Sequence, residues 1–261
     1  MIISHKYKFL FIGLPFSASS AISKELHQQY EAQPFLRKHS LYYEFNKEAT
    51  KQEMGYFVFA VLRNPMEIVI TTYEKMKSNA KGNFTNPVFF TENGGHITAK
   101  QRERFDFIIN NNATFQQYFN KFYKKPYDNL SSLTIDYCDF VIRYENIDRD
   151  YLSALKNIGI SNPKPLNVAN KTLGKVQNDI LGYYTDEIKD RAVSVFGPFM
   201  RKYNYVFPEQ WKDVKPSLIS IYQFRILSIL RNINVKYIKR YSKINGVKGT
   251  IYGDMKINDS N

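Results

Sequence analysis

The chain has 261 residues, enough to bury a full core, with 20 Tyr and 20 Phe spread along it rather than gathered in repeats. Its one cysteine, Cys138, leaves these residues without an internal disulfide or a cysteine-rich metal site, and no run reaches the ~18 apolar residues of a membrane-spanning helix. The net charge of +13 points to an anionic partner such as a nucleotide, an acidic glycan or a lipid headgroup. Nucleic acid is disfavoured, because the chain shows neither a binding module nor a short dense Lys/Arg cluster.

The first element is the run Tyr7–Gly13, apolar from Phe9, which ends at Gly13-Leu14-Pro15 and predicts a buried strand. Ala18, Ile22 and Leu26 are then spaced by four, one face of a helix. Between strand and helix lie the small residues Ser17, Ala18, Ser19 and Ser20. A helix N-terminus presents unpaired N–H groups and a positive dipole end, so this turn is a candidate seat for phosphate or sulfate. The motif is neither a Walker A loop nor a dinucleotide-binding glycine pattern. Lys6, Lys8 and the following apolar run also imitate a secretory signal, but Gly13 and Pro15 interrupt that run.

Residues 34–39 predict a second short strand ending at Lys38-His39, and 44–53 a helix. Phe57-Val58-Phe59-Ala60-Val61-Leu62 is a strand covered on both faces, and it ends at Arg63-Asn64-Pro65. Pro65 suits the first turn of a helix whose apolar face is Met66, Val69, Tyr73 and Met76. Two strand-then-helix units predict an α/β fold with a parallel sheet flanked by helices, and ligands of such sheets sit at the strands' carboxyl ends. Residues 78–98 form a long polar loop, a candidate lid carrying His96. Two helices over 99–125, a strand over 139–144 and helices over 151–158 and 186–199 complete residues 1–208. The extension 209–261 is basic, with ten Lys or Arg against four acids, and Ile219, Tyr222, Ile226, Ile229 and Ile233 follow helical spacing. Either that face packs on the domain, or it lies on an anionic membrane as an interfacial helix.

Four ordered segments resemble the PAPS-dependent sulfotransferases, closest to the branch of carbohydrate sulfotransferases and bacterial relatives. Residues 11–26 correspond to the family's P-K-x-G-T/S-T/S loop, and 56–73 to its strand, R-[DN]-P and following Ser/Thr, here Arg63 and Thr71. Arg143-Tyr144-Glu145-Asn146 resembles the family's R-[FY]-E-[DN] strand end, and 170–208 its closing helix. The resemblance covers about residues 7–208.

It implies a P-loop-like sulfotransferase fold and transfer of a sulfuryl group from PAPS to an acceptor hydroxyl, with a saccharide as the implied acceptor class, without a metal. Pro15, Phe16, Ser17, Ala18, Ser19 and Ser20 would hold the phosphosulfate, and Arg63 and Thr71 the 3′-phosphate. His39 falls where family members often carry Lys-His and is the candidate base, with Lys38 beside it and His96 as understudy. Arg143 and Glu145 read as a structural pair near the cofactor, while Asn170, Lys171 and Lys175 approach its phosphate. Phe16 stands where the family has lysine, and Ala18 where it has glycine. Lys38 or Lys171 then supplies the missing charge. The alternative is a weakened sulfotransferase-like protein that binds a nucleotide or glycan without turnover. The expected compartment is cytoplasmic, with the extension as a peripheral membrane contact.

Overall fold

The computed structural model describes residues 1–166, 179–238 and 251–252. In chain order, β1 (Ile2–Ser4) turns back into β2 (Phe9–Ile12), which feeds α1 (Ser19–Gln29). Strand β3 (Gln33–Pro34) and α2 (Tyr42–Glu48) follow, then β4 (Phe57–Leu62) and α3 (Pro65–Lys77). After α4 (Ala99–Asn110) and α5 (Phe115–Phe122) come β5 (Phe140–Arg143) and α6 (Ile147–Asn157). The last helices are α7 (Ile180–Tyr183), α8 (Asp186–Lys202) and α9 (Leu218–Ile233), the last continued by a π-helical turn over Asn234–Ile238.

The described residues form two compact units: 1–63 with 129–166, 230–238 and 251–252, and 64–128 with 179–229. The first unit is α/β. Its sheet has the order β3-β1-β2-β4-β5. Strands β2, β4 and β5 run parallel, whereas β1 is antiparallel to both neighbours. The wholly parallel sheet expected from the sequence is therefore corrected to a mixed one. Residues 5–8 connect β1 and β2, with Lys8 at φ 51°, and a connection that short can only join antiparallel strands. The expected strand over 34–39 shrinks to an edge pair. Pro34 has no N–H to continue a ladder, and residues 37–40 instead form a turn in which Ser40 Oγ accepts the Arg37 N–H at 3.2 Å.

Apolar burial explains the central strands. Every residue of β2 is fully buried, and Phe59 of β4 packs against Phe9 and Phe11, with ring centroids 5.6 and 5.2 Å apart. Ile22 and Leu26 of α1 and Tyr151, Ala154 and Leu155 of α6 close this core. Also within this unit, the Tyr43 hydroxyl donates to the Val235 carbonyl at 2.9 Å.

The second unit is helical. Its core gathers Tyr118, Phe119, Tyr184 and Phe196, with Met66 and Val69 of α3. Asn64 caps α3 by accepting the Met66 N–H at 2.9 Å, and Pro65 fills the first turn without wasting a donor. Loop 78–98 is divided into three short 3-10 turns and anchored by Phe84 and Ile97, 9% and 3% exposed. Part of the basic extension belongs to this core, since Trp211 is buried and stacks on Phe207 at 5.6 Å. Of the two placements expected for the α9 apolar face, the structure has the outward one: Ser220 and Phe224 are buried, while Ile219, Tyr222, Ile226, Ile229 and Ile233 face solvent. No helix among the described residues is long and apolar enough to cross a membrane.

Candidate functional site

In the first unit, the turn between β2 and α1 is held in an unusual backbone conformation. Phe16 and Ala18 both lie in the left-handed region, at φ 61° and 54°, which costs a non-glycine residue roughly 1–2 kcal/mol. Such strain persists where the surroundings over-determine it and concentrates at ligand sites. Ala18 is the N-cap of α1, yet no side chain caps the helix and its first turn holds no acidic residue. A left-handed residue followed by a helical one turns successive N–H groups toward one concavity, an arrangement that attracts anions. Ser17 contributes less than its type suggests. It is buried, and its hydroxyl donates to the Leu14 carbonyl at 2.6 Å, which fastens the turn from inside. Ser19 is buried, Ser20 is exposed, Pro15 and Ala18 are half-buried, and Phe16 is 36% exposed.

Two further segments converge on this turn. A Cβ placed on Gly13 would come within 3.0 Å of Ser19 Cβ and 3.7 Å of the Lys38 carbonyl oxygen. Gly13 thus allows the strand end, the helix start and the 38–39 segment to meet. His39 Nδ1 lies 2.6 Å from the Gly13 carbonyl oxygen. A carbonyl only accepts, so Nδ1 carries the proton and Nε2 keeps its lone pair. Desolvation lowers the imidazole pKa to about 4, opposed by the Gly13 hydrogen bond and reinforced by the charges of Lys38 and Arg37. His39 is therefore neutral at physiological pH.

Arg63 approaches from the end of β4. Its Nη1 donates to the Phe16 carbonyl at 3.1 Å, and its guanidinium lies 4.1 Å from the centre of the Tyr144 ring. The side chain is only 6% exposed. A strand-end arginine thus ties the strained turn to the carboxyl end of β4.

Neither Arg37 nor Glu44 is among the candidate site residues, yet together they hold His39. Arg37 Nη2 donates to both carboxylate oxygens of Glu44, at 3.0 and 2.8 Å. Its Nη1 donates to the His39 carbonyl at 3.1 Å, and Glu44 also accepts the Leu41 N–H at 2.7 Å. A glutamate three residues after the start of a helical run signals such an N-terminal cap in sequence, and Glu44 stands in that relation to Leu41. Its partnership with Arg37 crosses a turn whose shape only the fold reveals.

Lys38 is half-buried beside His39, and His96 is exposed on its loop. Thr71 is buried in α3 of the second unit, 3% exposed. Arg143 uses its backbone N–H to bond the Asp150 carboxylate at 2.9 Å, and Glu145 is exposed. Asn170, Lys171 and Lys175 lie outside the described residues. Among the described residues there is no group of three His, Cys, Asp or Glu side chains able to hold a metal.

No family model, curated protein or solved structure matches this chain. The site stands on its own geometry.

Proposed function

We propose that the chain is a PAPS-dependent sulfotransferase of P-loop-like fold that sulfates a hydroxyl group, with a saccharide as the acceptor class. The observation that carries this reading is the Nδ1–H of His39 donated to Gly13 at the foot of the uncapped, acid-free start of α1. It sets an unprotonated nitrogen beside an anion-attracting turn, the pairing that transfer of an anionic group to a hydroxyl requires.

These residues fit an anionic donor. The N–H groups at the start of α1 and the guanidinium of Arg63 would hold its phosphate and sulfate oxygens. His39 Nε2 would receive the acceptor hydroxyl's proton as its oxygen takes the sulfuryl group, while the donor's sulfur–oxygen bond to phosphate breaks and PAP leaves with that electron pair. The cofactor, when bound, supplies the activated sulfuryl group.

Thermal melting with and without PAP, the desulfated cofactor, tests the reading. A ligand that binds only the folded state raises the melting temperature. No shift at saturating PAP in well-folded protein would reject it, and acceptor screening with labelled PAPS follows a positive shift.

One observation favours a second reading, binding without turnover. Phe16 occupies the lysine position of the resembling loop, and its side chain neither carries charge nor donates a hydrogen bond. If transfer is undetectable in the native chain yet appears in Phe16→Lys, the protein is a binder with a silenced site. Transfer by the native chain would mean that Lys38 and Arg63 supply enough charge.

A further inference from the structure

Helix α9 carries an apolar face that the protein leaves in solvent. Ile219, Tyr222, Ile226, Ile229, Leu230 and Ile233 are 72, 60, 58, 60, 56 and 46% exposed. At 3.6 residues per turn these six fall within an arc of about 100°, a continuous stripe rather than scattered residues. The orientation is set by the opposite side of the helix. Ser220 and Phe224 are buried, and the Ser228 hydroxyl donates to the Asp128 carboxylate at 3.1 Å. Rolling the stripe inward would break those contacts.

The charge pattern selects the occupant. Residues 218–238 carry Arg225, Arg231 and Lys236 and no Asp or Glu. Arg225 borders the stripe, its guanidinium 5.8 Å from the centre of the Tyr222 ring. If two copies paired stripe to stripe, their cations would face each other with no carboxylate between them, and like charges across a seam oppose association. An anionic lipid surface offers the complement. It takes the isoleucines into the headgroup and acyl boundary while its phosphates neutralise the flanking cations. We propose that α9 docks this face on a membrane surface rich in anionic lipid, independently of the chemistry assigned to the first unit.

The test is co-sedimentation of the full chain with vesicles of phosphatidylcholine alone or mixed with phosphatidylserine, at low and high salt. The expected result is binding to the mixed vesicles at low salt that weakens as salt screens the charges. The double variant Ile226→Ser/Ile229→Ser should keep the native melting temperature, because both residues are exposed, yet bind about tenfold or more weakly. Failure of the native chain to sediment with the mixed vesicles at low salt would overturn the proposal, as would equal binding to phosphatidylcholine alone. A dimer dispersed by the double variant would replace the membrane with a second copy. A lower melting temperature without any loss of vesicle binding would show that the stripe is covered by the chain's own residues.

Discussion

His39 donates its Nδ1–H to the carbonyl of Gly13 across 2.6 Å, and this single bond fixes the tautomer of the imidazole. Nε2 keeps a lone pair beside the converging segments. His39→Gln keeps a donor of similar reach toward Gly13 but has no basic nitrogen. Transfer from PAPS should fall by about 10²-fold or more, the usual contribution of a positioned base, with PAP affinity nearly unchanged. Single-turnover rates and a PAP titration measure the two separately. An unaltered rate removes His39 from the chemistry.

The imidazole pKa of about 4 is low for a base working near neutrality. Burial and the neighbouring cations set it, so an anion placed beside the α1 start should reverse part of the shift by stabilising the imidazolium. Following His39 by NMR through a pH titration should show its pKa rising when PAP is added. If the titration midpoint is the same with and without saturating PAP, the phosphates bind away from His39.

The same residue makes stability depend on pH. Its folded pKa of about 4 lies below the ordinary 6.5, so the unfolded chain takes up the proton first as pH falls. The contribution is complete above 6.5 and is lost progressively between 6.5 and about 4. Denaturation midpoints across that window should decline with acid more steeply in the native chain than in His39→Gln. Parallel declines would mean that other groups govern the acid limb.

How much of this was legible in the sequence follows from what each signal encodes. Strands β2 and β4 and the start of α3 were readable because doubly covered strands are uninterrupted apolar runs and Pro65 marks a first turn. Strand β1 was not, and β3 was read too long, over 34–39. Three- and two-residue pieces carry no period, and the antiparallel turn from β1 into β2 depends on a geometry the composition does not show. The α9 stripe was visible as a period, but periodicity locates a face without saying whether it turns inward. At the site, Ser17–Ser20, His39 and Arg63 were readable as types at strand ends. The inward hydroxyl of Ser17 and the Arg37–Glu44 clamp depend on distances across turns.

Arg63 links the strained turn to β4 through the Phe16 carbonyl and the Tyr144 ring. Arg63→Lys keeps the charge but loses the planar fork that stacks and donates in two directions. Most of the stabilisation by PAP should vanish in this variant. The unliganded protein should also lose about 1–3 kcal/mol, since the Phe16 carbonyl gives up its partner and the stacked guanidinium is gone. Urea unfolding and PAP-dependent melting read the two effects. A full PAP response in Arg63→Lys would show that charge alone suffices there.

Trp211 lies past residue 208, in the basic extension, yet it is 4% exposed and stacks on Phe207 in the core of the helical unit. Burying an indole removes a large apolar surface from water, and truncating it leaves a cavity that a close-packed core only partly refills. Trp211→Ala should therefore cost about 3–5 kcal/mol, read as a lowered urea midpoint with little change in slope. Trp211→Phe should recover much of the loss, because a smaller ring can keep the stack on Phe207. A cost below about 1 kcal/mol for the alanine variant would place residue 211 at the surface and free the extension from the fold.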